Sequence, residues 1–181
     1  MTKRKPKLFQ ENELFNFAVR ALGGRAHSTG ELREKLRRRA ARAEDVDLVL
    51  AKLKDIGYLD DRRFAESYAA SRLENEGLGK MRVLRDLRQR HVAPQLAEQV
   101  TEKTYQETDE GALIEEFLKR KYRGKKLGEF LGVEKNLAAA YRRLRYAGFA
   151  AGSSIRVLKR YAQRAEELEA LEVEEPGEPD V

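Results

Sequence analysis

Apolar residues recur at intervals of three and four through nearly the whole chain, as in Leu32 and Leu36 and then Val46, Val49, Leu50, Leu53 and Ile56. That period gathers them on one face of a helix, whereas a half-buried strand would alternate at every second residue. The pattern predicts helices and no strand. Glycine and proline fall mainly between the periodic stretches, at Gly23-Gly24, Gly57, Gly77, Gly79, Pro94, Gly111, Gly124, Gly132, Gly148 and Gly152, which predicts short helix-to-helix turns.

Several helix ends are readable. In Ile56-Gly57-Tyr58 the glycine can take the left-handed conformation that closes a helix while Tyr58 folds back as the apolar contact, and Ala147-Gly148-Phe149 repeats the arrangement. In Asp60-Asp61 one carboxylate can cap the following helix and the other can favour its positive N-terminus. Ser28 or Thr29, with Glu31 or Glu34 behind, can open another helix as a capping box.

Internal repetition sets the organisation. Leu36-Arg37, Leu87-Arg88 and Leu144-Arg145 each precede a valine, Val49, Val100 or Val157, thirteen positions after the leucine; in the second and third, Val92 and Phe149 stand five positions after it. A period of roughly 50 residues leaves room for about three short helices. The expectation is an all-α, elongated array of three tandem three-helix repeats, at 12–57, 58–105 and 106–165. A basic leader (1–11) precedes them and an acidic tail (166–181) follows. With helices about 8–10 Å apart, three such modules side by side reach on the order of 75 Å.

Composition narrows the class. The 181 residues are 38% charged and 41% hydrophobic with no Trp, enough for thin helical seams rather than a thick core. There is no cysteine, hence no disulfide, thiolate metal site or thiol nucleophile, which suits a reducing cytoplasm. No stretch approaches the ~20 apolar residues of a membrane span, so a soluble cytoplasmic protein is expected. The net charge is +6, but the last sixteen residues hold eight acids and no base, so residues 1–165 carry +14. Such a field favours polyanions, nucleic acid above all. The tail, with Pro176, Gly177 and Pro179, lacks a core-forming pattern and is expected to be disordered beyond about Leu171. Its carboxylates are expected to compete with DNA for the basic residues, in which case deleting 166–181 tightens DNA binding at low salt.

Candidate chemistry is sparse. His27 and His91 are the only histidines, and neither has a second His or Cys at ligand spacing on a helix. Asp60-Asp61 is explained by capping. Gly77-Leu78-Gly79-Lys80 resembles a fragment of a phosphate loop, but Met81 follows the lysine and no strand precedes it. Gly124-Lys125-Lys126 fails for the same want of Ser or Thr. No cofactor, metal or catalytic set is expected.

Basic residues give the stronger signal because they recur opposite the apolar seams. Arg37 and Arg38 lie in the first module with Arg33, Arg39 and Arg42 nearby, and Arg82, Arg85 and Arg88 recur every third residue in the second. The third adds Lys119, Arg120, Lys121, Arg123, Lys125 and Lys126 around Tyr122, then Arg142, Arg143 and Arg145, then Arg156, Lys159 and Arg160. One continuous stripe binding an anionic partner such as DNA is the expectation; five phosphate contacts would give a slope of roughly −4.5 in log affinity against log salt. The competing reading is a solvated face with pairs such as Glu31–Lys35. Tyr122 and Tyr146 can stack on bases, whereas Tyr58, Tyr68 and Tyr141 are expected in the seams.

Beyond these patterns, Ser28-Thr29-Gly30-Glu31-Leu32 with Lys35-Leu36, the run Leu53-Lys54-Asp55-Ile56-Gly57-Tyr58-Leu59-Asp60-Asp61, and Phe64-Ala65 with Tyr68 resemble the RecX family of regulatory proteins. The likeness continues through Gly79 to Leu87 and ends with Leu144-Arg145-Tyr146-Ala147-Gly148-Phe149, so it spans about 12–162. It implies tandem three-helix repeats and binding to the RecA recombinase filament on single- or double-stranded DNA, reducing ATP hydrolysis, strand exchange or filament growth, with no enzymatic activity. A monomer is the simpler expectation. Two departures stand out: His91-Val92 where many relatives have a glycine before the apolar residue, and the long acidic tail. A helix-turn-helix DNA-binding module without recombinase dependence is the alternative, and an enzyme acting on nucleic acid a third possibility.

Overall fold

Leu36, Leu87 and Leu144 are fully buried, and Val49, Val100 and Val157 are no more than 2% exposed. In the computed structural model, which describes residues 8–162 and Ala165, each pair lies on two consecutive helices. The helices are α1 (Glu11–Gly24), α2 (Thr29–Arg37), α3 (Ala43–Asp55), α4 (Asp61–Glu74), α5 (Lys80–Gln89), α6 (Pro94–Tyr105), α7 (Glu110–Lys121), α8 (Leu127–Leu131), α9 (Glu134–Tyr146) and α10 (Ala151–Lys159). The repeated leucine therefore falls on α2, α5 and α9, and its valine on α3, α6 and α10. Among the described residues there is no strand; a single parallel bridge joins Phe9 to Ala40 beside the α2–α3 turn. Most of the basic leader and the whole acidic tail lie outside the described residues.

The chain divides into two compact units, Met1–Ala70 with Leu84–Lys103 and Ser71–Val83 with Thr104–Val181, so the division falls inside α4, α5 and α6. In the first unit α1 and α2 pack on α3, and Leu14, Leu32, Leu36, Val49, Leu50 and Leu53 form the core. In the second, α10 packs on α7 and α9, and α8 on α9, around Ile114, Leu118, Leu131, Leu144, Phe149 and Leu158. Among the described residues, the stretch 106–165 thus holds four helices, α7 to α10, where three were expected. The extra one, α8, has only five residues and turns Leu131 into the core.

Helix ends follow local chemistry. Ser28 caps α2 by accepting from the Glu31 N–H at 3.0 Å, and Glu31 accepts from the Ser28 N–H at 3.3 Å, a complete capping box. Asp60 accepts from the Arg63 N–H at 3.0 Å. Asp61 stands in the first turn of α4 as expected, and it also takes the Thr29 N–H at 2.6 Å, placing its carboxylate at the positive start of α2 as well. Gly57 (φ +72) and Gly148 (φ +90) close α3 and α9 in the left-handed conformation. His91 does the same after α5 at φ +57. In all three the following N–H reaches back five residues, from Tyr58 to Leu53, from Val92 to Leu87 and from Phe149 to Leu144, and the left-handed residue bonds three back. Val92 and Phe149 are buried, but Tyr58 is 56% exposed, so the expected fold-back and seam position of Tyr58 are wrong. Leu59, 4% exposed, fills the place instead and donates its N–H to the Leu53 carbonyl at 3.2 Å.

Each unit also contains a junction where a helix start meets a helix end. In the first, the Ser28 hydroxyl donates to the Arg90 carbonyl, and a Cβ on Gly30 would lie 2.2 Å from that of His91. In the second, the Gly79 N–H donates to the Ala147 carbonyl at 2.8 Å and the Met81 N–H to the Gly148 carbonyl at 3.1 Å. In the second junction, amides left over at a helix start thereby satisfy carbonyls left over at a helix end, and in both the positive pole of one helix meets the negative pole of another.

Candidate nucleic-acid interface

The apolar seam decides which side chains reach solvent. On α9 it takes Leu137, Ala140, Tyr141 and Leu144, leaving Arg142, Arg143, Arg145 and Tyr146 outside. On α7 it takes Ile114, Phe117 and Leu118, so the last turn presents Lys119, Arg120 and Lys121. Arg123, Lys125 and Lys126 follow in the turn before α8, and Arg156, Lys159 and Arg160 stand on and just beyond α10. Tyr122 joins two of these groups: the Arg143 guanidinium donates to its hydroxyl at 3.4 Å and lies 5.6 Å from its ring centre. Tyr122 in turn packs on Phe130 at 4.8 Å, and the Lys125 ammonium lies 6.0 Å from the Phe130 ring. The end of α7, the turn after it and the last turn of α9 therefore share one basic-aromatic patch.

These cations are not equivalent. Arg120 bonds the Asn75 and Glu76 carbonyls and so finishes the end of α4. Arg145 donates to the Phe149 carbonyl at 2.6 Å. Arg160 pairs with Glu115, and Lys126 with Glu129 at 3.0 Å. By contrast Lys119, Lys121, Arg123, Arg142 and Arg156 are exposed, and none is paired with an acid among the described residues. A cation already answered by a carboxylate or a carbonyl has less to offer a phosphate, so these five, with Arg143, form the strongest part of the candidate surface. Arg82 lies 4.7 Å over the Tyr146 ring.

In the first unit Arg37 is exposed at the end of α2, Arg38 approaches Glu34 at 3.9 Å, Arg88 pairs with Glu98 at 2.6 Å, and Arg85 is exposed on α5. Arg33 and Arg42 are spent on Asp47 and the buried Asp45. The expected Glu31–Lys35 pair gives way to a longer-range network: Glu31 accepts from Arg25 at 3.2 Å and from Arg90 at 3.0 Å. Arg90 also lies 4.7 Å over the ring of Tyr68, whose hydroxyl donates to Asp86 at 3.3 Å. Sequence spacing could not reveal this, because Arg90 is 59 residues from Glu31.

Electrostatics around Glu31 follow from those contacts. Burial works against its carboxylate, but the hydrogen bonds from Arg25 and the Ser28 N–H, with the charges of Arg25 and Arg90, outweigh it and hold the pKa below the ordinary value. His27 is 5% exposed, and neither ring nitrogen forms a well-made hydrogen bond. Burial, then the charges of Arg25 and Lys35, push its pKa down, more than Glu31 at 3.6 Å pulls it up. His27 and His91 line an open cleft of about 380 Å³ with Arg25, Glu31, Glu34, Lys35, Arg38 and Gln89. Among the described residues no group of three or more His, Asp or Glu is placed to hold a metal ion, and no helix is long and apolar enough to cross a membrane.

Comparison with known proteins places the architecture. The family model of the first three-helix domain of RecX matches residues 15–53, and that of the second matches 60–100. The chain is 31% identical over 115 residues to Regulatory protein RecX of Trichlorobacter lovleyi, covering 64% of this chain and 75% of that one. With Regulatory protein RecX of Deinococcus radiodurans the identity is 36% over 121 residues, 65% of this chain and 56% of the relative. The crystal structure of RecX from Lactobacillus salivarius superposes with a TM-score of 0.62 at 17% identity, covering 83% of this chain and 96% of that one, a likeness of fold. The tandem helical repeats, the matched domains and these relatives together establish that the chain belongs to the RecX family of regulatory proteins.

Proposed function

We propose that this chain is a non-catalytic regulator that binds RecA recombinase filaments on DNA and reduces their ATP hydrolysis, strand exchange or growth. Family membership supports the regulatory part. The observation that carries the binding part is the group of exposed, acid-free cations Lys119, Lys121, Arg123 and Arg142 gathered about the Tyr122–Arg143 contact. Phosphate contacts from such a group give affinity and orientation with little sequence preference, as a regulator of filaments on any sequence requires. The three modules, 12–57, 58–105 and 106–165, act in this reading as one soluble cytoplasmic monomer whose basic faces meet DNA or acidic recombinase surface.

The test is DNA-dependent ATP hydrolysis by the cognate recombinase during titration with this protein, including addition after filaments have formed. Inhibition well below one copy per recombinase subunit, without depletion of free DNA, is the expected result. No inhibition at concentrations that saturate DNA would leave a general DNA-binding module and end this reading.

A further inference from the structure

Tyr146 closes α9 and is 57% exposed. Three neighbours in the same unit give that ring a context. Arg82 lies 4.7 Å over its centre. Met81, also 57% exposed, is held beside the end of α9 by its N–H bond to the Gly148 carbonyl at 3.1 Å. Arg142 stands four residues earlier on α9, hence on the same helical face, and is exposed with no acid partner among the described residues. The result is a small platform: an exposed aromatic ring with one guanidinium over a face and a second one helical turn away.

We propose that this platform is a stacking site for an unpaired base of single-stranded nucleic acid, with Arg142 holding the adjacent phosphate. Every nucleobase has a π-face and carries its phosphate close by, which is the pairing of surfaces that Tyr146 and Arg142 offer. A duplex hides its base faces within the stack, so the platform discriminates strand state rather than sequence. A protein partner fits less well. Two exposed apolar side chains fall far short of the few hundred Å² of apolar surface that marks a protein docking site, and cations surround them. The inference rests on the reading of this chain as a regulator bound to DNA, and it names the component of the filament that the third module touches.

The experiment compares the full-length protein with Tyr146→Ala, Tyr146→Phe and Arg142→Ala, using three labelled probes: an oligothymidylate, an abasic oligomer of equal length and charge, and a duplex. Tyr146→Ala should weaken oligothymidylate binding about 5- to 150-fold, the range for loss of one base–aromatic stack, and leave the other two probes unchanged. Tyr146→Phe should bind like the wild type, which also controls for folding, and Arg142→Ala should weaken binding to all three. Equal oligothymidylate affinity for wild type and Tyr146→Ala, or equal losses on the abasic probe, would overturn the proposal. Reduced recombinase inhibition by Tyr146→Ala with unchanged oligothymidylate binding would assign the ring to a protein contact instead. A wild type that binds none of the probes would remove the DNA reading beneath it as well.

Discussion

Gly79 and Gly148 meet backbone against backbone: a Cβ on Gly79 would lie 2.3 Å from the carbonyl carbon of Gly148, and one on Gly148 only 2.1 Å from the Arg82 nitrogen. No side-chain rotation relieves such a clash, because both neighbours are main chain. Gly79→Ala should therefore force the start of α5 away from the end of α9, breaking the bonds to Ala147 and Gly148, at a cost of about 1–3 kcal/mol. Gly23→Ala is the control, since nothing lies within 4 Å of its Cβ position on α1. It should be neutral or stabilising by up to about 1 kcal/mol. Urea unfolding followed by circular dichroism measures both, and equal stabilities for the two variants would refute the junction as drawn.

His91 occupies the left-handed position that Gly57 and Gly148 hold at the other two helix ends, with φ of +57. A β-carbon is strained there and a glycine is not. His91 is exposed and its imidazole is not needed to close α5, because the Val92 N–H to Leu87 carbonyl bond at 3.1 Å is main chain. His91→Gly should raise stability by roughly 0.5–1 kcal/mol. A loss in thermal unfolding would mean that the His91 Cβ, which faces Gly30, contributes more by packing than it costs in backbone strain.

These junctions also show what the sequence could and could not reveal. The period-3.6 pattern, the thirteen-residue step from Leu87 to Val100 and the glycines at 57 and 148 are local signals, and they anticipated the helices, their repetition and two left-handed caps. A capping box is likewise local, so Ser28 and Glu31 could be paired. The role of His91 was obscured because histidine rarely adopts positive φ, and α8 was missed because five residues carry too little periodicity. Contacts across tens of residues left no trace in spacing: Asp61 on Thr29, Arg90 on Glu31, Arg120 on the end of α4. For the candidate surface this mattered most, since basic residues that look alike in sequence divide, in space, into those that hold the fold and those that face solvent without an acid.

Acid should weaken the first unit in two steps. The His27 pKa is depressed below its ordinary 6.5 by burial and then by Arg25 and Lys35, so in the window below about 6.5 the unfolded chain binds a proton that the folded one refuses. Stability therefore falls as pH drops through that window. The Glu31 pKa lies below its ordinary 4.5. Its contribution is full above 4.5 and is lost as pH falls through the folded value. Unfolding free energy measured from pH 8 to 3 should show both slopes, with His27→Gln flattening the upper and Glu31→Gln the lower. A flat profile between pH 7 and 5 in the wild type would contradict the burial of an uncharged His27.

Neighbouring cations at the end of α7 and just beyond it should separate cleanly by function. Arg120 bonds two carbonyls at the end of α4, and because it is exposed its loss should cost only about 1 kcal/mol of stability. Arg120→Ala should thus lower the unfolding midpoint. Lys119, Lys121 and Arg123 make no such bonds, so the triple alanine variant should unfold like the wild type. Its DNA binding should change instead: if each cation neutralises one phosphate, the slope of log affinity against log salt becomes less steep by roughly 2.7. Titrations of a labelled oligonucleotide at several salt concentrations give that slope directly. An unchanged slope would move the phosphate contacts elsewhere on the chain, whereas a changed slope together with lost stability would show that the three cations are structural after all.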